Sequence, residues 1–106
     1  MNPSRTAHLV VDLGFGDASK GTPTDWLVRR HGAGLVVRFN GGAQAGHKVI
    51  TDDGRHHTFS QFGAGTFVPG VRTHLARPPL LHPLAMRVEA SYLAERGVPG
   101  AMELAR

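Results

Sequence analysis

The chain has no cysteine in its 106 residues, which excludes disulfide frameworks, thiolate zinc sites and redox thiols. Acidic residues are few, 8 against 12 basic ones, leaving a net charge of +4 with neutral histidines. Lysine is scarce as well, since Lys20 and Lys48 are the only two and the other basic residues are arginine. Aromatic residues make up 7%, with one Trp and one Tyr, and show no stacking-platform pattern, so a nucleic-acid partner is not expected. No run approaches the roughly 20 apolar residues of a membrane span. The first apolar run, residues 9–13, is broken by Asp12 and follows a polar start, unlike a secretory signal. A soluble, cytoplasmic, single domain is the expectation, with 41% apolar residues for one small core.

Glycine and proline are plentiful instead, fourteen and seven, so short elements joined by turns are expected. Residues 8–13 (HLVVDL) read as a buried strand running into the tight Gly14-Phe15-Gly16 loop. Residues 22–31 predict a helix, with Pro23 in the first turn and Gly32 and Gly34 ending it. Residues 34–39 (GLVVRF) predict a second apolar strand. Strand, helix and strand over about 30 residues is the length of a βαβ unit, with a parallel pair and a right-handed crossover. Residues 47–51 and 55–60 flank Asp52-Asp53-Gly54 and predict a hairpin. After a loop over 61–70, residues 71–76 suit a short strand. Pro83 opens a last helix with Leu84, Val88 and Tyr92 on one face, flanked by Ala85 and Leu93, and Gly97 past its end. The fold class is α/β, with a mostly parallel sheet, glycine-rich loops at the carboxyl ends of strands, and a β-hairpin.

The two glycine-rich loops carry the chemistry. In open α/β sheets, ligands bind where loop amides and helix N-termini gather at strand ends. The first loop, residues 14–22, offers small residues that let amides approach a phosphate, and Lys20 as a point charge. It is not a Walker A loop, because Ser19-Lys20-Gly21 stands where Gly-Lys-Ser/Thr is required. It is either a phosphate loop or a strand-to-helix turn with a surface lysine. Asp17 either holds Mg²⁺ or accepts a proton beside a phosphate, or else caps the following helix. In the second loop, residues 38–47, small residues lead to His47 and could hold a substrate against its ring. His56 and His57 fall on opposite faces of a strand, which argues against one shared metal. The arginines either serve anionic ligands or form a solvated surface.

Gly16-Asp17-Ala18-Ser19-Lys20-Gly21 and Arg38-Phe39-Asn40-Gly41-Gly42-Ala43-Gln44-Ala45-Gly46-His47-Lys48 resemble two motifs of the adenylosuccinate synthetase family. Those motifs are Gly-Asp-Glu-Gly-Lys-Gly and Arg-Phe-x-Gly-Gly-x-Asn-Ala-Gly-His-Thr. Residues 63–71 are similar to the family's Pro-Ser-Gly-Ile-x-x-Pro-Gly segment, and residues 83–98 to its following helix. The resemblance covers residues 8–98 and implies that residues 1–106 form the N-terminal portion of such a domain, a partial P-loop-NTPase-like fold. It implies a ligase joining IMP and L-aspartate with GTP hydrolysis and Mg²⁺, homodimeric in the family. By the same resemblance Asp17 is the base and a Mg²⁺ ligand, His47 the acid, and Lys20 a stabiliser of phosphoryl charge. The carbonyl of Gly46 is the second protein ligand to Mg²⁺. Gly16, Ser19, Gly21, Gln44, Ala45 and Lys48 complete the nucleotide-binding set.

Four positions depart from the family pattern. Ala18 and Ser19 replace Glu and Gly, Gln44 replaces an Asn that contacts IMP, and Lys48 replaces a Thr near the GTP phosphates. These admit another 6-oxopurine nucleotide as substrate. Family members are roughly four times longer, and the regions that recognise guanine, aspartate and the IMP phosphate are not among these residues. A non-catalytic GTP- or purine-nucleotide-binding fragment is therefore the competing expectation.

Overall fold

A computed structural model describes residues 5–14, 19–39, 46–76 and 82–105. Helix α1 (Gly21–His31) leads into strand β1 (Leu35–Arg38), followed by strands β2 (His47–Ile50) and β3 (His56–Phe59). Strand β4 (Arg72–Leu75), helix α2 (Pro83–Glu95) and the single turn α3 (Ala101–Leu104) complete the order. The architecture is α/β, with a two-stranded parallel sheet and a separate hairpin.

Helix α1 ends where a left-handed residue can be placed. Gly32 adopts φ 63° and its amide bonds back to the Val28 carbonyl, while Arg29, Arg30 and His31 complement the helix dipole. The hairpin forms around the Asp-Gly turn as expected. β2 and β3 pair antiparallel from His47 with Phe59 to Ile50 with His56, and the Thr51 amide donates to Arg55. His56 is exposed and His57 half-buried, on opposite faces. The short strand over 72–75 is also present, and Pro83 opens α2, whose chain leaves through Gly97 at φ 84°.

Two expectations are corrected. Residues 8–13 form no strand, and Leu9, Val11 and Leu13 are exposed rather than buried. Asp12, in the middle of this apolar run, accepts a hydrogen bond from the Gly14 amide and pairs with Lys20, a local arrangement that competes with a β-ladder. The βαβ pair is therefore absent among the described residues. β1 instead runs parallel to β4, from Leu35 beside Arg72 to Arg38 beside Leu75. The second correction concerns α2. Leu84, Val88 and Tyr92 face outward, half or more exposed, whereas Glu89 and Leu93 point inward with Met86 and Ala90 beside them.

The core lies between the hairpin, residues 61–67 and the two C-terminal helices. Val49, Phe59, Phe62, Phe67 and Leu93 are its largest fully buried side chains. Phe59 meets Phe67 edge-on at 5.5 Å, and the His57 ring meets Phe59 edge-on at 4.7 Å. Each buried Phe or Leu contributes about 2–3 kcal/mol of transfer free energy.

A polar clamp joins this core to the parallel sheet. Arg38, at the end of β1 and buried, donates from Nη1 to the carbonyls of Phe59 (3.3 Å) and Phe62 (3.2 Å). Glu89 of α2, also buried, accepts from the amides of Ser60 (3.1 Å) and Gln61 (2.8 Å). The backbone of residues 59–62 is thus held by a cation through its carbonyls and by an anion through its amides, which satisfies buried groups on both sides.

Candidate functional site

The start of α1 and the start of β2 are brought together by close backbone contact. At Gly21 a Cβ atom would stand 2.6 Å from the Lys48 carbonyl oxygen and 2.8 Å from the His47 carbonyl carbon, so only glycine fits there. Thr22 Oγ1 donates to the same Lys48 carbonyl at 3.4 Å. The sequence signal of a glycine at the end of the first loop thereby acquires a physical reason, since it lets the loop's helix rest on the strand carrying His47. Gly46, just before that strand, is similarly restricted, because a Cβ would run into the Thr58 side chain.

Beside this junction lies a cleft of about 500 Å³ between residues 6–10 and β1. Val10, Leu27 and Val36 give it apolar walls, and His8, Lys20, Arg38 and His47 bring nitrogen-bearing side chains to it. An apolar cleft with a few convergent polar groups is the usual form of a small-molecule site. Burial, then the charges of Arg38 and Lys20, push the His47 pKa below its ordinary value. Burial also pulls the Arg38 guanidinium below its ordinary value, and the charge of Glu89 opposes that shift.

Lys20 is largely buried and its ammonium lies 3.0 Å from Asp12 Oδ2. Its backbone carbonyl accepts from the Thr24 hydroxyl at 2.7 Å and so helps start α1. Ser19 has φ 59°, a left-handed conformation that favours glycine, at one of the four positions departing from the motif. Lys48 is exposed. Gly16, Asp17, Gln44 and Ala45 lie outside the described residues.

Of the expected site residues, Lys20, Gly21, Gly46, His47 and Lys48 therefore surround one junction. Sequence reasoning missed Asp12 and Glu89, and gave Arg38 no role. An acid inside an apolar run and an arginine closing an apolar strand were the available signals. Glu89 had none, because its bonds reach residues far away in the chain.

Among the described residues no group of three His, Asp or Glu side chains could hold a metal ion. The donor set expected for Mg²⁺, the Asp17 carboxylate and the Gly46 carbonyl, consists of hard oxygens. Mg²⁺ commonly takes one or two such protein oxygens together with substrate phosphates, so the donor chemistry fits. No helix among the described residues is long and apolar enough to cross a membrane.

Comparison with known proteins gives a consistent set of likenesses. A family model described as adenylosuccinate synthetase matches residues 9–105. The adenylosuccinate synthetase of Magnetococcus marinus is 34% identical over 90 residues, covering 85% of this chain and 20% of that protein. That of Mycobacterium leprae is 34% identical over 92 residues, covering 87% and 21%. That of Thermoplasma acidophilum is 56% identical over 45 residues, covering 42% and 10%. The chain spans about a fifth of the length of the first two.

Proposed function

The chain belongs to the adenylosuccinate synthetase family, and on that premise we propose that it is the N-terminal portion of a ligase making adenylosuccinate from IMP and L-aspartate with GTP. The observation that carries this reading is the junction of Gly21 with His47 and Lys48, beside a cleft that Lys20, Arg38 and His47 line. It joins residues of both family motifs in one place.

In this reading Asp17 removes the N1 proton of IMP, and O6 of the base attacks the γ-phosphorus of GTP, breaking its bond to the β,γ-bridging oxygen and releasing GDP as the 6-phosphoryl intermediate forms. Lys20 and the amides at the start of α1, for which no side-chain cap lies among the described residues, stabilise the charge on the phosphoryl oxygens. His47 donates to the transferred group. Burial, with the charges of Arg38 and Lys20, lowers its pKa, and an anion placed between these cations opposes that shift and favours the protonated ring. The amine of L-aspartate then displaces phosphate at C6. Mg²⁺, held by the Asp17 carboxylate and the Gly46 carbonyl, supplies neutralisation of phosphate charge when bound. Gly16, Ser19, Gln44, Ala45 and Lys48 line the nucleotide. Gln44, which carries its amide about one methylene further out than the family's Asn, admits a related 6-oxopurine nucleotide in place of IMP. The reading also carries a cytoplasmic location and a homodimer for the whole enzyme.

One observation favours a second reading. The chain spans about a fifth of its relatives' length, which suits a GTP- or purine-nucleotide-binding fragment without turnover. The test is an assay of adenylosuccinate formation from IMP, GTP, L-aspartate and Mg²⁺, run on the chain and on His47→Asn, beside calorimetric titration of both with GTP. Turnover that disappears in His47→Asn supports the ligase. Saturable GTP binding without turnover selects the fragment, and neither binding nor turnover removes both.

A further inference from the structure

The Asp12 carboxylate lies among donors that a phosphate would use. Its Oδ1 accepts from the Gly14 amide at 2.7 Å, and Gly14 opens the first glycine-rich loop. Its Oδ2 lies 3.0 Å from the Lys20 ammonium, and both side chains are almost covered, 12% and 13% exposed. A loop amide and a lysine converging on two oxygens of one anion is the donor arrangement of a phosphate loop, with a carboxylate in place of the phosphate. Lys20 is also one of only two lysines in the chain, so pairing it withdraws much of the charge that this loop can offer.

We infer that Asp12 is a built-in competitor for the phosphate position, occupying Lys20 and the Gly14 amide until a polyphosphate displaces it. The inference rests on the reading of this loop as a phosphate site and adds its regulation. It accounts for an acid in the middle of the apolar run 8–13, where a strand would have been expected. Displacement of Asp12 breaks its bonds to the Gly14 amide and to Lys20 at the same moment as the anion takes Lys20. Ligand entry and rearrangement of this segment are thereby coupled, and the ligand class selected is one with enough negative charge to outcompete a carboxylate. A triphosphate meets that condition better than a nucleoside or a monophosphate.

The experiment is calorimetric titration of the full chain with inorganic triphosphate, for wild type, Asp12→Asn, and Asp12→Asn combined with Lys20→Gln. Asp12→Asn should bind about tenfold more tightly, the scale of one hydrogen bond to a charged group, and the double variant should lose that gain. In the wild type, the Asp12 carboxyl carbon resonance should move along the same titration curve as the heat, a readout that needs no variant to fold. Equal or weaker binding by Asp12→Asn, or a carboxyl resonance unmoved at saturation, overturns the inference while wild-type binding keeps the phosphate-loop reading. If neither wild type nor Asp12→Asn binds triphosphate, the phosphate-loop reading fails and the inference with it.

Discussion

Replacing Glu89 by Ala is the sharpest test of what holds this fold together. Glu89 is buried at 6% exposure and accepts from the Ser60 and Gln61 amides, with its Oε1 also 3.1 Å from His57 Nε2. Truncation leaves the buried Gln61 amide without its acceptor, which costs about 1–3 kcal/mol. The part-buried Ser60 amide adds less. The neighbouring Arg38 guanidinium also loses the negative charge that eases its burial, and removing one side of a buried charge pair costs up to about 3–5 kcal/mol. Arg38 still has the Phe59 and Phe62 carbonyls, so a total near 3 kcal/mol is expected, against roughly 5–15 kcal/mol for a whole domain. Urea unfolding followed by circular dichroism reads the loss directly, and a melt should fall by about 15 °C. Glu89→Gln keeps one acceptor oxygen and should lose about half as much. A Glu89→Ala midpoint within ~0.5 kcal/mol of wild type refutes the clamp as a source of stability.

Four further outcomes follow from the same geometry. Ser19→Gly relieves a left-handed φ of 59° and should raise stability by about 1 kcal/mol in the same urea assay. Gly21→Ala places a Cβ against the backbone of β2 and should cost about 1–3 kcal/mol, with perturbed His47 and Lys48 amide resonances. Leu93→Ala, in the core, should cost about 2–5 kcal/mol, whereas Val88→Lys on the outer face of α2 should stay within about 0.5 kcal/mol. The folded pKa of His47 lies below the ordinary 6.5, so the unfolded chain binds the proton more readily. Its effect on stability is therefore nil well above pH 6.5 and becomes a growing loss as pH falls below it. An NMR titration should show His47 titrating below 6.5, and Arg38→Met should raise that midpoint.

What could be read from the sequence was local. The hairpin followed from an Asp-Gly turn between β-type runs, and the end of α1 from Gly32, because turn and cap chemistry are set by adjacent residues. The two glycine-rich motifs identified the family in the same way. The pairing of β1 with β4, the inward turn of Glu89 and the outward turn of Leu84, Val88 and Tyr92 depend on partners distant in the chain. Apolar spacing on α2 marked a stripe but not which way it faces, because a buried acid with two amides to satisfy decided the helix's rotation. At the site, the meeting of Gly21 with β2 followed the order of the motifs. The engagement of Lys20 by Asp12 did not, since an interrupted apolar run gives no indication of what its acid will grasp.

The grip on residues 59–62 also has a mechanical meaning. Among the described residues the parallel sheet and the hairpin share no strand, so no ladder of backbone bonds there carries force from one to the other. Arg38 belongs to the first, Phe59 to the second and Glu89 to α2, and all three meet on one short stretch of main chain. That stretch acts as a rivet through three plates. Because it is held by its peptide groups, the side chain of Ser60 can vary without loosening it, whereas that of Gln61, buried and accepting from the His82 amide at the start of α2, cannot, and a proline at either position would withdraw an amide donor and let the plates slide. His47, paired with Phe59 at the edge of the same stretch, is thereby referenced to all three bodies at once.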